Sequence, residues 1–178
     1  LKLTPQLDLA AVSLGLDELE AKPQLAGLAI NLSASSIHLP EFRAELQRLL
    51  KRRTGTQRLW LEVAESGALS HFDAFKALCG DLRGLGCKLG LEHFGRQFSE
   101  IGRLHDLGLD YIKVDGSFVR GLDGNAGNQA FLRGLSTIAH SIGLLVIAEG
   151  VTNESDLRAL GLVGFDGATG PAVSEPKA

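Results

Sequence analysis

Polar side chains that can bind a cation or a phosphate recur along the chain, and each lies at the end of a short apolar run. Carboxylate and amide oxygens suit hard divalent cations such as Mg²⁺. A lysine ammonium is a point charge that can face a phosphate. The intervals between these side chains are close to the ~30 residues of a βα unit. In chain order the side chains are Asn31, Glu62, Glu92, Lys113 with Asp115, Glu149 and Thr169.

The apolar runs before these side chains are short and rich in β-branched residues, which predicts buried strands. The predicted strands are Leu28–Leu32, Leu59–Val63, Lys88–Leu91, Tyr111–Val114, Leu144–Ala148 and, with a weaker pattern, Phe165–Ala168. Helical patterns lie between them, and a further helix comes before the first strand, with Thr4 as its N-cap and Pro5 as its first residue. The predicted helices are Thr4–Glu20, Pro40–Leu50, Ser70–Leu85, Ser99–Leu107, Asn128–Ile142 and Ser155–Leu162.

The alternation of strands and helices predicts an α/β fold with a parallel sheet. Such folds bind ligands at the carboxyl ends of the strands, where the polar side chains are predicted to lie. Their regular spacing favours a (β/α)₈ barrel, and a doubly wound open sheet is the alternative. A complete barrel takes about 250 residues, whereas this chain has 178. We therefore expect residues 1–178 to form an incomplete barrel domain, with roughly the first two strands upstream.

Composition and charge exclude several classes of protein. The net charge of −3 argues against a general DNA- or RNA-binding protein, which is usually strongly basic. No apolar run approaches the ~20 residues that a membrane-spanning helix needs. Cys79 and Cys87 are too few for a disulfide framework and lie in apolar segments, so we expect buried, unreactive thiols in a reducing compartment. A phosphate-bearing ligand would therefore depend on a few well-placed cations.

Short segments at the predicted strand ends form an ordered set of motifs. They are Asn31-Leu32-Ser33, Glu62-Val63-Ala64-Glu65-Ser66, Phe94-Gly95, Lys113-Val114-Asp115, Ala148-Glu149-Gly150-Val151 and Ser174-Glu175-Pro176. In order and spacing this set resembles the motifs of the EAL-domain family. Members of that family are barrel phosphodiesterases that linearise the bacterial messenger cyclic di-GMP, or degenerate relatives that only bind it. The resemblance implies a TIM-like barrel of EAL type, whose Glu-x-Leu-x-Arg strand would precede Leu1.

The resemblance implies roles for single positions. Asn31, Glu62 and Glu92 match metal-binding positions of active members. Lys113 matches the Lys that helps to orient the attacking water, and Asp115 is its companion in the Lys-x-Asp motif. The first Glu of the Ala-Glu-Gly-Val-Glu motif is retained as Glu149. Glu65, which resembles a loop-anchoring Glu, is also retained.

Other positions depart from the pattern of active members. His93 stands where those members have the Asp that belongs to the second metal. Thr152 replaces the second Glu of the Ala-Glu-Gly-Val-Glu motif, and Thr169 replaces a late Gln. The segment 95–100, Gly-Arg-Gln-Phe-Ser-Glu, differs from the family's Gly-Thr-Gly-Tyr-Ser-Ser loop.

These departures favour binding over hydrolysis. Metal-assisted hydrolysis needs hard cations, whereas Glu92 is one methylene longer than Asp and the imidazole of His93 suits softer metals. A zinc site is disfavoured because no Cys or second His stands at ligand spacing, and we expect His93 to be a neutral, hydrogen-bonded side chain. Loss of two acidic residues also lowers the repulsion of a dianionic nucleotide. Lys113 then faces a phosphate, and Glu149 accepts hydrogen bonds from a guanine edge.

Each of these residues also has a simpler interpretation. Lys113 fits the solvated end of an edge strand, Glu62 fits a partner for a neighbouring Arg, and Asn31 fits a helix cap. The Gly-rich segment Gly121–Gly127 lacks the spacing of a phosphate-binding loop, and we interpret it as the loop that leads into a helix. The occurrence of the polar residues at successive strand ends favours a common site.

Within the family, the segment Lys113–Glu149 most resembles the output domain of LapD-type receptors. In those inner-membrane proteins, paired degenerate domains sense the messenger in the cytoplasm. The resemblance implies an inactive cyclic di-GMP receptor domain in biofilm control that needs no cofactor and binds neither DNA nor RNA. Implied partners are a second copy of the parent protein, other signalling domains and a periplasmic protease. The alternatives are a weak phosphodiesterase that uses Mg²⁺ or Mn²⁺, and a protein-interaction scaffold that binds no nucleotide.

Overall fold

The computed structural model describes residues 3–173, in which strands and helices alternate. The chain divides into two compact units. The first unit extends to Leu91 and includes Asp106–Leu109, and the second consists of Glu92–His105 and the chain from Asp110 onward. Within the described range, no helix has the length and apolar character that crossing a membrane would require.

The first unit pairs two parallel strands and packs helices against them. Its elements are α1 (Thr4–Ala21), β1 (Leu28–Leu32), α2 (Ala34–Ile37), α3 (Pro40–Lys51), β2 (Leu59–Ala64), α4 (Glu65–Ser70), α5 (Phe72–Leu82) and the first residues of β3 (Lys88–Phe94). β1 and β2 are parallel, with Asn31 directly opposite Glu62. On α3 the buried side chains Phe42, Leu46 and Leu50 recur every fourth residue, so one face of this helix packs into the unit.

Two sequence predictions in the first unit are wrong. Thr4 is the first residue of α1 and not its N-cap, because Leu3 already has helical φ and ψ angles and no side chain caps the helix. The single helix predicted over Ser70–Leu85 is interrupted at His71, which has φ −123° and ψ 50°. On each side of this break the helix buries its own apolar residues, Ala68 and Leu69 on α4 and Phe75, Leu78 and Leu82 on α5.

The second unit continues the pattern with shorter strands. Its elements are the end of β3, β4 (Tyr111–Val114), α6 (Gly116–Val119), α7 (Ala126–Ser141), β5 (Leu145–Ala148), α8 (Glu154–Leu162) and β6 (Gly167–Ala168). β4 pairs with β5 in parallel, with Lys113 opposite Ile147, and β5 pairs with β6 in parallel. The Gly-rich segment leads into a helix, as predicted, and the Asn125 side chain caps α7 by accepting from the Asn128 N–H. It is not a loop throughout, because Leu122–Gly124 form a 3₁₀ helix and its last two residues already belong to α7.

Two predicted elements of this unit are shorter or tighter than expected. The helix predicted over Ser99–Leu107 is a 3₁₀ helix at Phe98–Leu104, in which the buried residues are three apart, the spacing that a 3₁₀ helix places on one side. The strand predicted over Phe165–Ala168 is reduced to β6. Its predicted second residue, Asp166, uses its side chain to accept from the Val146 N–H and to contact His140.

A buried carboxylate that the sequence analysis missed organises the loop before α7. Asp156 is 2% exposed and accepts hydrogen bonds from the main-chain N–H groups of Gly121 and Asp123 and from the Asn153 side chain. The Asn153 side chain in turn caps the start of α8 by accepting from the Asp156 N–H. Burial raises the pKa of Asp156, but the hydrogen bonds from Asp123, Asn153 and Gly121 outweigh it and keep the pKa below its ordinary value.

The order of the strands decides between the two predicted α/β architectures. Over residues 3–173 the sheet order is β1-β2-β3-β4-β5-β6, the same as the order along the chain. A doubly wound sheet requires a reversal of strand order, which is absent from this range, whereas successive βα units of a barrel follow chain order. The α/β fold of TIM-barrel type is confirmed.

Candidate functional site

The predicted site residues of the first unit lie on neighbouring strands. Asn31 in β1 is paired with Glu62 in the parallel strand β2, so the two side chains lie on the same side of the sheet. Glu62 is 2% exposed, and Glu65, the first residue of α4, is 3% exposed. The interpretation of Asn31 as a helix cap is wrong, because the next helix, α2, has Ser33 at its N-cap position.

The loop that follows Asn31 is held by a carboxylate from α1. Asp8 accepts hydrogen bonds from the main-chain N–H of Ser33 at 2.9 Å and from its hydroxyl at 3.3 Å. This contact fastens the end of β1 to α1, and it therefore fixes the strand end on which Asn31 lies.

Four predicted or matched positions of the second unit come together around one imidazole. His93 Nδ1 lies 2.9 Å from Glu149 Oε2 and 3.7 Å from Asp115 Oδ2, and His93 Nε2 lies 4.0 Å from Glu92 Oε2. The His93 side chain is 61% exposed, whereas the three carboxylates are largely covered. We call these four residues the His93 cluster. The His93 ring is thus in contact with Glu149, and the hydrogen bond between these two residues is made by the His93 main-chain N–H.

The backbone of His93 also contributes to the cluster. Its φ of 53° lies in the left-handed region, which residues other than Gly seldom adopt, although His, Asn and Asp do so several-fold more often than most. This turn at the end of β3 directs the His93 main-chain N–H to Glu149 Oε2 at 3.1 Å. One oxygen of Glu149 thus meets both a main-chain donor and the ring of the same residue.

Asp115 is held in place at the end of β4. Its Oδ1 accepts from the Ser117 N–H at 2.8 Å and so caps α6, and its own N–H donates to the Phe94 carbonyl of β3 at 2.9 Å. The hydrogen bonds with Ser117 lower the pKa of Asp115, and the nearby charges of His93 and Arg96 lower it further. Asp115 is therefore an ionised group with a fixed orientation.

Burial raises the pKa of Glu149 above its ordinary value. The contact with His93 and the positive charge of Lys113 act in the opposite direction, and the negative charge of Glu92 adds to the increase. The Glu149 backbone is packed closely as well, since a Cβ at Gly116 would lie 2.9 Å from the Glu149 carbonyl oxygen. The effect on the Glu149 pKa shows that Lys113, which is half-buried on β4, lies near enough to interact with this carboxylate electrostatically.

The two threonines that replace acidic or amide residues are exposed and lie outside the His93 cluster. Thr169 follows β6 and donates its N–H to the Ala148 carbonyl at 2.8 Å, and its hydroxyl contacts the same oxygen at 3.3 Å. Its side chain is thereby used within the sheet. Thr152 lies in the loop between β5 and α8. The motif Ser174-Glu175-Pro176 lies outside the described residues.

A loop cation that the sequence analysis did not single out stands next to the cluster. Arg96 is exposed in the turn after β3, and its charge contributes to the lowered pKa of Asp115. The preceding Gly95 has φ 140°, and a Cβ there would lie 2.6 Å from the Phe118 ring, so the turn is packed against α6. The one sequence signal for Arg96 is its place directly after the Phe94-Gly95 motif.

The described donors do not fit a resident metal ion as they are arranged. Between residues 3 and 173, no group of three or more His, Cys, Asp or Glu side chains could share one ion. In the second unit, Glu149 Oε2 is engaged by His93, and Asp115 Oδ1 is engaged by Ser117. These oxygens serve internal hydrogen bonds in place of a hard cation.

The two cysteines differ from each other. Cys79 is buried on α5, and burial raises its pKa to about 12, as expected for an unreactive thiol. Cys87 is only half-buried, so the expectation of two buried thiols is wrong for this residue. It lies in the short segment between α5 and β3.

A separate groove of about 790 Å³ lies among α1, α2 and α3 in the first unit. Its lining residues include Leu9, Leu39 and Phe42, and none of the predicted site residues lines it. The groove therefore does not extend the predicted site.

Comparison with known proteins decides the family. The EAL domain family matches residues 1–176, almost the whole chain. The chain belongs to the EAL domain family. The cyclic di-GMP phosphodiesterase PdeF of Escherichia coli is 31% identical to this EAL domain over 161 residues, which is 90% of this chain and 22% of PdeF. The chain spans between 21% and 24% of the length of the first curated relatives that it matches.

Solved EAL domains have the same fold. The EAL domain of FimX from Pseudomonas aeruginosa, bound to c-di-GMP, superposes with a TM-score of 0.86 at 28% identity, covering 95% of this chain and 69% of that chain. BlrP1 of Klebsiella pneumoniae, solved with manganese and the same dinucleotide, gives a TM-score of 0.82 at 27% identity, covering 96% and 44%. Of these two proteins, BlrP1 was solved with manganese and the dinucleotide, and FimX was solved bound to the dinucleotide.

Proposed function

We propose that this EAL domain is a cyclic di-GMP receptor that binds the dinucleotide without hydrolysing it. The observation that carries the proposal is the 2.9 Å contact between His93 Nδ1 and Glu149 Oε2. The family resemblance places an acidic residue of the second metal site at position 93. An imidazole there meets a carboxylate directly, where two carboxylates would need a cation between them. The arrangement supports a site that does not depend on metal.

The site contains positive groups that partly offset its carboxylates. Glu92, Asp115 and Glu149 supply negative charge, while Lys113 and the ring of His93 both stabilise the ionised form of Glu149. A phosphate of the ligand that reaches Lys113 gains a charge-assisted hydrogen bond. In this proposal Lys113 faces a phosphate, Glu149 accepts from a guanine edge, and Asp115 and Glu92 lie beside them in the second unit. Asn31 and Glu62 of the first unit, and Thr169 after β6, are the other residues predicted to bind the ligand.

A calorimetric titration tests the proposal in the full-length protein, with cyclic di-GMP and excess EDTA. We expect binding to persist without metal. Lys113→Ala should weaken the affinity roughly 10- to 150-fold, the range expected for loss of a charged hydrogen bond. Glu149→Ala should also weaken it, whereas the control His105→Ala should not. If Lys113→Ala and Glu149→Ala both bind like the parent, the strand-end site is wrong, and a parent without measurable binding favours the scaffold.

A second candidate function is a weak phosphodiesterase. It is favoured by the 31% identity to PdeF, whose name describes that activity, and by the register that places Asn31 opposite Glu62. Chromatography of products with Mg²⁺ or Mn²⁺ distinguishes the two functions, because a receptor yields no linear dinucleotide above background. Steady turnover by the unmodified protein would establish the enzyme. The combined change Glu92→Asp, His93→Asp, Thr152→Glu and Thr169→Gln tests whether these positions withhold activity.

The proposed receptor works in the cytoplasm as part of an inner-membrane protein. This part of the proposal rests on the resemblance of the segment Lys113–Glu149 to LapD-type output domains. In this part of the proposal the parent protein is a homodimer. Binding of cyclic di-GMP to its site changes how it interacts with other signalling domains and with a periplasmic protease. Membrane fractionation and light scattering of the full-length protein, with and without cyclic di-GMP, test it. Recovery only as a soluble monomer in both conditions would contradict it.

A further inference from the structure

We propose that Arg96 is a phosphate-binding residue of the strand-end site, whose guanidinium pairs with a phosphate of the cyclic dinucleotide. The inference rests on the proposed function and adds a residue that the family motifs do not supply. It makes Arg96 and Lys113 the two permanent cations that offset the carboxylates when the dianion binds.

The turn that carries Arg96 is anchored to the site. Gly95 leaves room for the Phe118 ring, which lies where a side chain at position 95 would be, 2.6 Å from the Cβ position. The residue before it, Phe94, accepts a hydrogen bond at 2.9 Å from the N–H of Asp115. Arg96 is therefore attached to the same pair of strands that carries His93 and Asp115, so the base of its side chain is held beside the cluster.

The Arg96 guanidinium has no hydrogen-bond or ion-pair partner among residues 3–173, although its positive charge acts on Asp115. The oxygens of Asp115 already face other groups, since Oδ1 accepts from Ser117 and Oδ2 lies 3.7 Å from His93 Nδ1. The acidic residue in the same loop, Glu100, pairs with Arg103 at 2.9 Å.

The charge balance of the cluster requires such a group. Three carboxylates surround His93, so a ligand with two negative charges meets a negative surface unless cations lie at its edge. An arginine fork binds two oxygens of one phosphate at once, and it is more weakly hydrated than an ammonium. The exposed Arg96, in the turn after β3, can thus supply the positive charge that a metal ion supplies in metal-dependent phosphate-binding sites.

The test compares three variants of the full-length protein by calorimetry with cyclic di-GMP in EDTA. Arg96→Gln should weaken the affinity roughly 10- to 100-fold, and Arg96→Lys should retain part of it, because the charge remains but the fork is lost. The matched control is Arg133→Gln, which removes one positive charge from an exposed position on α7 and should leave the affinity unchanged.

Salt dependence gives a second measurement that a purely structural role of Arg96 would not change. Between about 50 and about 500 mM salt, the affinity of Arg96→Gln should fall less steeply than that of the parent, because one screened contact is missing. If the parent binds and Arg96→Gln matches it in affinity and salt dependence, Arg96 is not a phosphate-binding residue and the receptor proposal stands. If the parent shows no binding of cyclic di-GMP, both proposals are overturned.

Discussion

The main-chain N–H of His93 donates to Oε2 of Glu149 at 3.1 Å, and the Nδ1 atom of the His93 ring lies 2.9 Å from the same oxygen. The hydrogen bond and the ring contact hold the Glu149 carboxylate against two groups of one residue. They also join the end of β3 to the residue that follows β5. Glu149 is thus oriented before any ligand is present.

The left-handed backbone of His93 predicts an unusual order of stability among its variants. His93→Gly and His93→Ala both remove the ring, but Gly adopts a φ of 53° without the penalty that Ala has there. We expect His93→Gly to be more stable than His93→Ala by up to about 1 kcal/mol in urea unfolding.

The control for this prediction is the same pair of changes at His105. That residue has φ −60° and ψ 138°, which any residue adopts. There His105→Ala should be at least as stable as His105→Gly, because Gly only adds freedom to the unfolded chain. The same order of stability at both positions would contradict a conformational cause.

The raised pKa of Glu149 predicts a pH-dependent difference between the parent and Glu149→Gln. A folded-state pKa above the ordinary 4.5 means that the folded protein binds this proton more tightly than the unfolded chain. The contribution of Glu149 to stability is therefore complete below pH 4.5 and is lost as the pH rises through the folded-state pKa. Glu149→Gln should gain stability relative to the parent over that range, as measured by chemical unfolding at several pH values.

The matched control is Glu154→Gln on α8, where the carboxylate side chain is 83% exposed. Its stability relative to the parent should change little with pH. A constant difference between Glu149→Gln and the parent from acidic to neutral pH would show that burial does not disfavour the ionised form of Glu149.

Removal of the Asp156 carboxylate should destabilise the fold. Asp156→Ala leaves the N–H groups of Gly121 and Asp123 and the amide of Asn153 without their acceptor. We expect a loss of about 2–4 kcal/mol in the free energy of unfolding. Each buried donor without an acceptor costs about 1–3 kcal/mol, and water molecules that enter the space can accept from some of these donors. Asp123→Ala, at an exposed position in the same loop, should cost far less, and equal losses would argue against the buried network.

The two thiols should react with alkylating reagents at very different rates. Cys79 is buried and has a pKa of about 12, so almost none of it is thiolate at pH 8. Peptide mass mapping after brief treatment of the native protein with iodoacetamide should find Cys87 labelled well before Cys79. In denaturant the two rates should converge, and comparable labelling of both in the native protein would show that the α5 region opens readily.

The strands were predictable because each is a short apolar run that ends in a polar residue. Leu28–Leu32 and Tyr111–Val114 agree with the structure at both ends. Periodicity could not reveal the break at His71, because the residues on both sides continue a helical pattern and tertiary packing decides where the chain turns. The 3₁₀ helix at Phe98–Leu104 was missed for a similar reason, since its spacing of buried residues also fits an α-helix.

The members of the site were predictable where a strand ends, and less so in the loops. Glu92, Asp115 and Glu149 were identified from their positions, and the structure places them around His93. The left-handed φ of His93 has no local sequence signal. Arg96 carries no pattern of its own, because a charged loop residue is ordinarily solvated. Asp156 did carry a signal. Asn153 stands three residues before it, and an Asn followed three residues later by an acidic residue is typical of the start of a helix.

The conformation at the end of β3 limits which residues can replace His93 in evolution. Besides Gly, the side chains that tolerate this backbone best are Asn, Asp and His itself. Histidine and aspartate codons differ by a single nucleotide, so one mutation can exchange an imidazole for a carboxylate without reshaping the strand. Lineages that share this backbone can therefore move between a site with an internal imidazole and one with an additional negative charge through neighbouring sequences, with the scaffold preserved at each step.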